Sequence, residues 1–274
     1  MASLLALLLA FLLLGAVVGT KMSDITFDQS YRITWGNDHV LSLNQGRLVQ
    51  LSLDQSSGAG FASKQSYGSG FFHMRIKLPP KDSAGVVTAY YVMTISRFRV
   101  LGKQRRKPYT LQTNVFSNGQ GDREQRILLW FDPTADFHSY KILWNQHQIV
   151  FYVDDIPIRV FKNNSNIGVD YPSQPMQIEG SLWNGESWAT DGGQTKTNWS
   201  CAPFRTHFQG FRIDGCPSDY SNCHSSNLWW NQKKFWKLDS TQQKAHENVR
   251  NKYMNYDYCS DTNRFAVRPK ECTQ

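Results

Sequence analysis

The sequence predicts an all-β fold, an antiparallel sandwich, and three observations carry it. Aromatics make up 14% of the 274 residues, with 9 Trp, 12 Tyr and 16 Phe, a bias toward pleated surfaces. Apolar residues alternate with polar ones in short runs. Turn residues interrupt those runs at close spacing. With 40% hydrophobic and 19% charged residues, the chain can bury a large core, which excludes wholesale disorder.

From the N-terminus, Leu4 to Val18 is almost purely apolar and is followed by Gly19, Thr20 and Lys21. That run is short for a membrane span. It reads as a secretory signal peptide over residues 1–20, with a signal anchor as the alternative. A secreted chain is free to form disulfides. Residues 21–215 then read as the sandwich. Phe71 to Leu78 is a strand closed by Pro79-Pro80. Tyr140, Ile142 and Trp144 alternate with Lys141 and Leu143. After a break at Asn145 to His147, Ile149, Phe151 and Val153 alternate, and Asp154-Asp155 turns the chain. Tyr90, Tyr91, Trp130 and Trp144 read as core aromatics.

Residues 216–274 differ in pattern. Ser240-Thr241-Gln242-Gln243 reads as a capping box opening a helix. Ala245, Val249 and Tyr253 give that helix an apolar stripe for packing on an edge of the sandwich. Five cysteines allow two bridges. Cys216 with Cys223 and Cys259 with Cys272 are the local pairings, leaving Cys201 as a free, buried thiol. Asn163-Asn164-Ser165 is a glycosylation sequon in a polar loop, and Trp199 disfavours the one at Asn198. His39, His73 and His138 lack metal spacing, so no metal and no cofactor is expected.

A set of ordered motifs then carries a family. These include Trp35-Gly36-Asn37-Asp38-His39, Gln112-Thr113-Asn114-Val115, Asp122-Arg123-Glu124-Gln125-Arg126, Leu129-Trp130-Phe131-Asp132-Pro133 and Ser187-Trp188-Ala189-Thr190 with Gly192-Gly193. The tail adds Trp229-Trp230-Asn231 and Tyr256-Asp257-Tyr258-Cys259. Together they resemble the plant xyloglucan endotransglucosylase/hydrolases of glycoside hydrolase family 16. The resemblance implies a β-jelly roll with a C-terminal extension. It also implies a monomer secreted to the cell wall that cleaves xyloglucan and passes the fragment to an oligosaccharide or polymer end, or to water. No nucleic acid, and no membrane after leader cleavage, belongs to that picture.

By the same resemblance, Gln112, Thr113 and Asn114 line the donor side. Asp122, Arg123 and Glu124 form the next group, Ser187, Trp188 and Gly192 the far wall, and Arg264 meets the acceptor. The family's Glu-Ile-Asp-Phe-Glu strand supplies nucleophile, tuning Asp and acid/base for retaining chemistry. Here those positions are Ile95, Arg97 and Arg99, and residues 83–121 hold no Asp or Glu. Isoleucine has no lone pair, and arginine stays protonated. The chain as it stands is therefore expected to be catalytically dead.

The basic character is concentrated in the same stretch. Arg97, Arg99, Lys103, Arg105, Arg106 and Lys107 carry six charges, without which the formal +8 falls to +2. Residues 97–107 can also be back-translated so that a one-nucleotide shift reads Asp-Phe-Glu-Phe-Leu-Gly-Asn, the family's text. A frame or splice error is one explanation, and a diverged non-catalytic relative the other. Three functions compete: a wall transferase, a binding-only remnant, and a structural or unstable product.

Overall fold

The computed structural model describes residues 25–92, 96–104 and 107–273. The expected leader, Ile95, Arg105 and Arg106 lie outside the described residues. Among the described residues sixteen strands are seen: β1 (Tyr31–Trp35), β2 (Val40–Leu43), β3 (Leu48–Leu53), β4 (Ala59–Ser63), β5 (Tyr67–Lys77), β6 (Val86–Val92), β7 (Ser96–Leu101) and β8 (Thr110–Val115). There follow β9 (Gln125–Leu128), β10 (His138–Trp144), β11 (Gln148–Val153), β12 (Ile156–Lys162), β13 (Ile178–Asn184), β14 (Phe204–Gln209), β15 (Asp214–Pro217) and β16 (Met254–Asp257).

They form two antiparallel sheets, as the alternation predicts. The first runs β1-β4-β13-β6-β7-β8-β9-β16. The second runs β12-β11-β10-β5-β14-β3-β2, with β15 also on β5. Inward residues alternate with outward ones, so each strand contributes every second side chain to the core. Phe98, Val100, Tyr90 and Leu111 come from the first sheet, and Phe72, Met74, Ile142, Phe151 and Phe208 from the second. Trp144 and Tyr90 are core, as expected.

A second apolar cluster lies outside the second sheet. Leu143, Val150 and Tyr152 there meet Trp230 and Cys216, with Phe71, Trp229 and Phe235 packed around them. Trp230 Nε1 donates to Ser69 Oγ at 3.0 Å, so its polar atom is satisfied under the cover. Cys216–Cys223 and Cys259–Cys272 are bridged. Cys201 is free but only half-buried.

The C-terminal helix α2 (Ser240–Tyr253) follows the one-turn α1 (Phe27–Ser30) in chain order. Packed against β12, β9 and β16, α2 closes one edge of the sandwich. Val249 enters the core, with Tyr253 against Trp130 at 5.2 Å. The capping box starts one residue earlier than the sequence suggested. Asp239 accepts from Thr241 and Gln242 N–H at 2.8 Å, and Gln242 Oε1 accepts from Asp239 N–H. A carboxylate satisfies two amides at once and complements the helix dipole, which a Ser240 hydroxyl does not. Asp239→Ala is expected to lower stability by about 1 kcal/mol, read as a shift in the urea midpoint with unchanged slope.

Candidate functional site

The candidate site is built on the outer face of the first sheet, around β7. Phe98 and Val100 point inward, so Arg97, Arg99 and Leu101 point outward. Cross-strand register then lines up two rows. Glu179, Tyr91, Arg97 and Asn114 form one, across β13, β6, β7 and β8. Ser181, Ala89, Arg99, Gln112 and Arg126 form the other, reaching β9.

The two arginines, two residues apart on one face, are accommodated by aromatic rings. Arg97 lies over Phe116 at 4.3 Å and near Tyr91 at 5.7 Å, and its Nε is buried without a hydrogen-bond partner. Arg99 lies over Trp188 at 5.2 Å. Burial and then the neighbouring Arg97 push the Arg99 guanidinium below its ordinary range. A guanidinium remains protonated even so. Burial, followed by Glu179, pushes the Tyr91 phenol up to about 12, so it is a neutral donor. Tyr91 was expected in the core but faces outward, because it follows the inward Tyr90 on an alternating strand.

The predicted binding residues divide into three groups. Gln112 and Asn114 stand in the rows beside Arg99 and Arg97. Gln112 Oε1 accepts from Arg126 Nε at 3.2 Å, and Asn114 Nδ2 donates to Glu124 at 3.1 Å. Thr113 between them does not reach this face. It is fully buried and accepts from Arg159 Nη1 at 3.0 Å. The expectation that all three line one surface fails because consecutive strand residues face opposite ways. Thr113→Val is expected to cost about 1–3 kcal/mol by leaving the buried Arg159 short of its acceptor. Affinity for sugar should be unchanged, as a midpoint shift with equal ligand retention would show.

The second group joins the C-terminal segment to the β8–β9 loop. Arg264 Nη1 donates to Glu124 Oε2 at 2.8 Å, and Nη2 donates to Asp122. Arg123 turns away and pairs with Glu271 at 2.7 Å. These residues brace each other around one end of the rows.

The third group is the opposite wall. Trp188 carries Arg99 and meets Trp183 at 5.8 Å, while Ser187 is exposed. Gly192 has φ +65° with open space around it, and Gly193 has φ +91° with Ser187 O 2.0 Å from where a Cβ would sit. Only glycine suits both demands at position 193. Thr190 Oγ1 accepts from Gly85 N–H and donates to Gly102 O, both at 2.9 Å, which ties this wall to the ends of β6 and β7.

Sequence reasoning missed Glu179, Phe116, Arg126 and Tyr256 on or beside this face; Arg126 lies over Tyr256 at 5.1 Å. Period-two counting along β13 and β9 is the signal that finds the first and third. A cavity of about 970 Å³ lies elsewhere, between α2 and β12, and is lined by Arg159, His246 and Tyr258. An open face, rather than such a pocket, admits a polymer whose two ends extend beyond the protein.

Comparison with known proteins places this geometry. The profile of glycosyl hydrolases family 16 matches residues 27–201. That of the xyloglucan endo-transglycosylase (XET) C-terminus matches residues 224–272. The chain is 58% identical over 259 residues to xyloglucan endotransglucosylase/hydrolase protein 2 of Arabidopsis thaliana, covering 90% of this chain and 89% of that protein. It is 51% identical to xyloglucan endotransglucosylase/hydrolase protein A of Phaseolus angularis, covering 92% and 89%. Among solved structures, the apo Crh5 transglycosylase is similar at TM-score 0.58 and 21% identity, covering 73% of this chain and 82% of that one. A Bacillus licheniformis β-glucanase is similar at TM-score 0.53 and 22% identity, covering 66% and 89%. These two speak for the fold alone.

Proposed function

This chain belongs to glycosyl hydrolases family 16 and, within it, to the xyloglucan endotransglucosylase/hydrolases, and from that membership we propose that it binds wall xyloglucan on the outer face of its first sheet without cleaving it. The family's activity is cleavage and religation, or hydrolysis, of xyloglucan in the secreted, cell-wall compartment. One observation carries the departure from it: Arg97 and Arg99 stand outward on β7, where the family's strand carries carboxylates. Retaining chemistry needs two carboxyl groups about 5 Å apart, one to attack the anomeric carbon and one to move the leaving-group proton. A guanidinium can do neither, and its charge opposes the developing oxocarbenium ion. Glu179 stands opposite Tyr91, and Glu124 is engaged by Asn114 and Arg264. Neither lies on β7, which carries no carboxylate.

Binding needs less than chemistry. Beside the two arginines, the parts of Trp188, Tyr91 and Phe116 that they leave uncovered offer aromatic surface for sugar CH groups, and Gln112, Asn114 and Arg126 offer polar groups for hydroxyls. Native electrophoresis in gels containing xyloglucan tests this reading. Retardation is expected, relative to gels with a neutral polymer such as dextran. Equal mobility in the two gels would overturn it.

A second reading makes the gene product an ordinary wall transferase. It is supported by the alternation at 97–100, which survives the one-nucleotide shift: outward residues become acidic and inward ones stay aromatic or apolar. Genomic and transcript sequence across residues 93–107 tests it; codons incompatible with the shifted text would refute it.

A further inference from the structure

A second open face lies on the opposite side of the sandwich. The outward residues of β5 run Phe71, His73, Arg75, Lys77. At the Phe71 end the face is apolar and covered by Trp229, Trp230 and Phe235. The cover stops there, and the chemistry changes at the same place. His73 stands opposite Lys141 on β10, and Lys77 opposite His207 on β14, which also carries Arg205. Arg47, Arg75 and Arg212 are exposed and, with His73, Gln45 and Gln209, line a cavity of about 640 Å³.

Among the described residues of this face, carboxylates are fewer than cations. Asp214 pairs with Arg212 at 3.0 Å, and Asp155 with Lys141 at 2.7 Å. Arg75 donates to the neutral Gln209 at 3.4 Å and lies over Phe137 at 5.6 Å. Burial lowers the affinity of His73 for a proton; Asp214 opposes this, and Lys141 and Arg212 add to it, leaving the imidazole's proton affinity below its ordinary value.

We propose that this face binds an acidic polysaccharide, a chain of uronic-acid sugars, with a carboxylate seated between Arg47 and Arg75 and the chain continuing toward Lys77 and Arg205. Strands about 4.8 Å apart, with same-face residues about 6.6 Å apart along each, present cations as a ladder to a polymer with charge at every repeat. Arginine forks take carboxylates bidentately, and the amides of Gln45 and Gln209 suit sugar hydroxyls. The choice of a carboxylated polysaccharide among polyanions rests on the wall-polysaccharide reading above. The site is independent of the first sheet's outer face, and neutral xyloglucan offers it no charge.

The test uses the full chain and polygalacturonate, with its fully methyl-esterified form as the uncharged control, by calorimetric titration. Polygalacturonate is expected to bind, the ester not to bind, and affinity to fall as salt rises from about 50 to about 200 mM. Arg47→Glu with Arg75→Glu is expected to weaken binding at least about tenfold. Arg97→Glu with Arg99→Glu, on the other sheet, is expected to leave it unchanged. Arg47→Gln with Arg75→Gln, folded by circular dichroism, repeats the loss without introducing new charge. Four results would each overturn the proposal: equal binding of acid and ester, undiminished binding by the folded Gln variant, loss on substituting Arg97 and Arg99, or equal affinity for single-stranded DNA. Because the readout involves no xyloglucan, failure here leaves the first-sheet reading standing, and failure there leaves this result readable.

Discussion

No transfer or hydrolysis of xyloglucan above background is expected from this chain, at a rate roughly 10⁴-fold or more below a relative bearing the family's carboxylates. Removing a covalent nucleophile and its acid/base partner leaves only binding and local electrostatics, and here the electrostatics have the wrong sign. Arg97 and Arg99 do not rotate away: each is laid on a ring, over Phe116 and Trp188, within the outward row. Incorporation of a labelled oligosaccharide acceptor measures the rate, with a mock purification to exclude contaminating enzyme. Turnover by the unmodified chain would overturn the assignment of chemistry to β7. Ile95→Glu with Arg97→Asp and Arg99→Glu restores three carboxylates and is expected to recover part of the rate. A folded triple variant with no activity at all would show that β7 is not where the chemistry belongs.

Phe98→Ala is expected to cost about 3–5 kcal/mol, a large share of the stability of any domain. Phe98 sits between the two arginines in sequence but on the opposite side of the strand. It is 1% exposed and meets Phe151 at 5.0 Å and Tyr140 at 5.9 Å, both from the second sheet. Truncation removes these edge-on contacts and leaves a cavity that the flanking strands cannot close. Phe98→Leu fills most of that space and should lose markedly less, while Arg97→Ala should change stability little. Urea unfolding followed by tryptophan fluorescence ranks the three. If Arg97→Ala proved as damaging as Phe98→Ala, β7 would be held by its outward side, contrary to its register with β6 and β8.

The contrast between Phe98 and its neighbours explains why β7 forms at all. A strand needs its inward positions apolar and tolerates much on the outward ones. Phe98 and Val100 satisfy the first condition, and the rings of Phe116, Tyr91 and Trp188 absorb the two cations. Two like charges sharing one face would otherwise weaken the strand, and none of those rings lies on β7. Site chemistry can thus be lost while the fold persists, because the two depend on opposite faces of one strand.

Local pattern alone determined the all-β class, the strands over 140–144 and 149–153, the C-terminal helix, and the two disulfides. Each follows from periodicity or short spacing, which the chain carries without reference to distant residues. The absence of carboxylates from residues 83–121 was likewise plain in the sequence. Tertiary structure alone decided which side of β8 Thr113 faces, that Leu143 and Val150 are buried on a face where alternation suggests exposure, and that Arg264 closes on Asp122 and Glu124. Those outcomes depend on register across strands far apart in sequence and on a C-terminal segment folding back over a finished sheet. Period-two counting says that neighbouring side chains oppose each other. It does not say what covers either face, and burial, charge pairing and the shape of the site all depend on that cover.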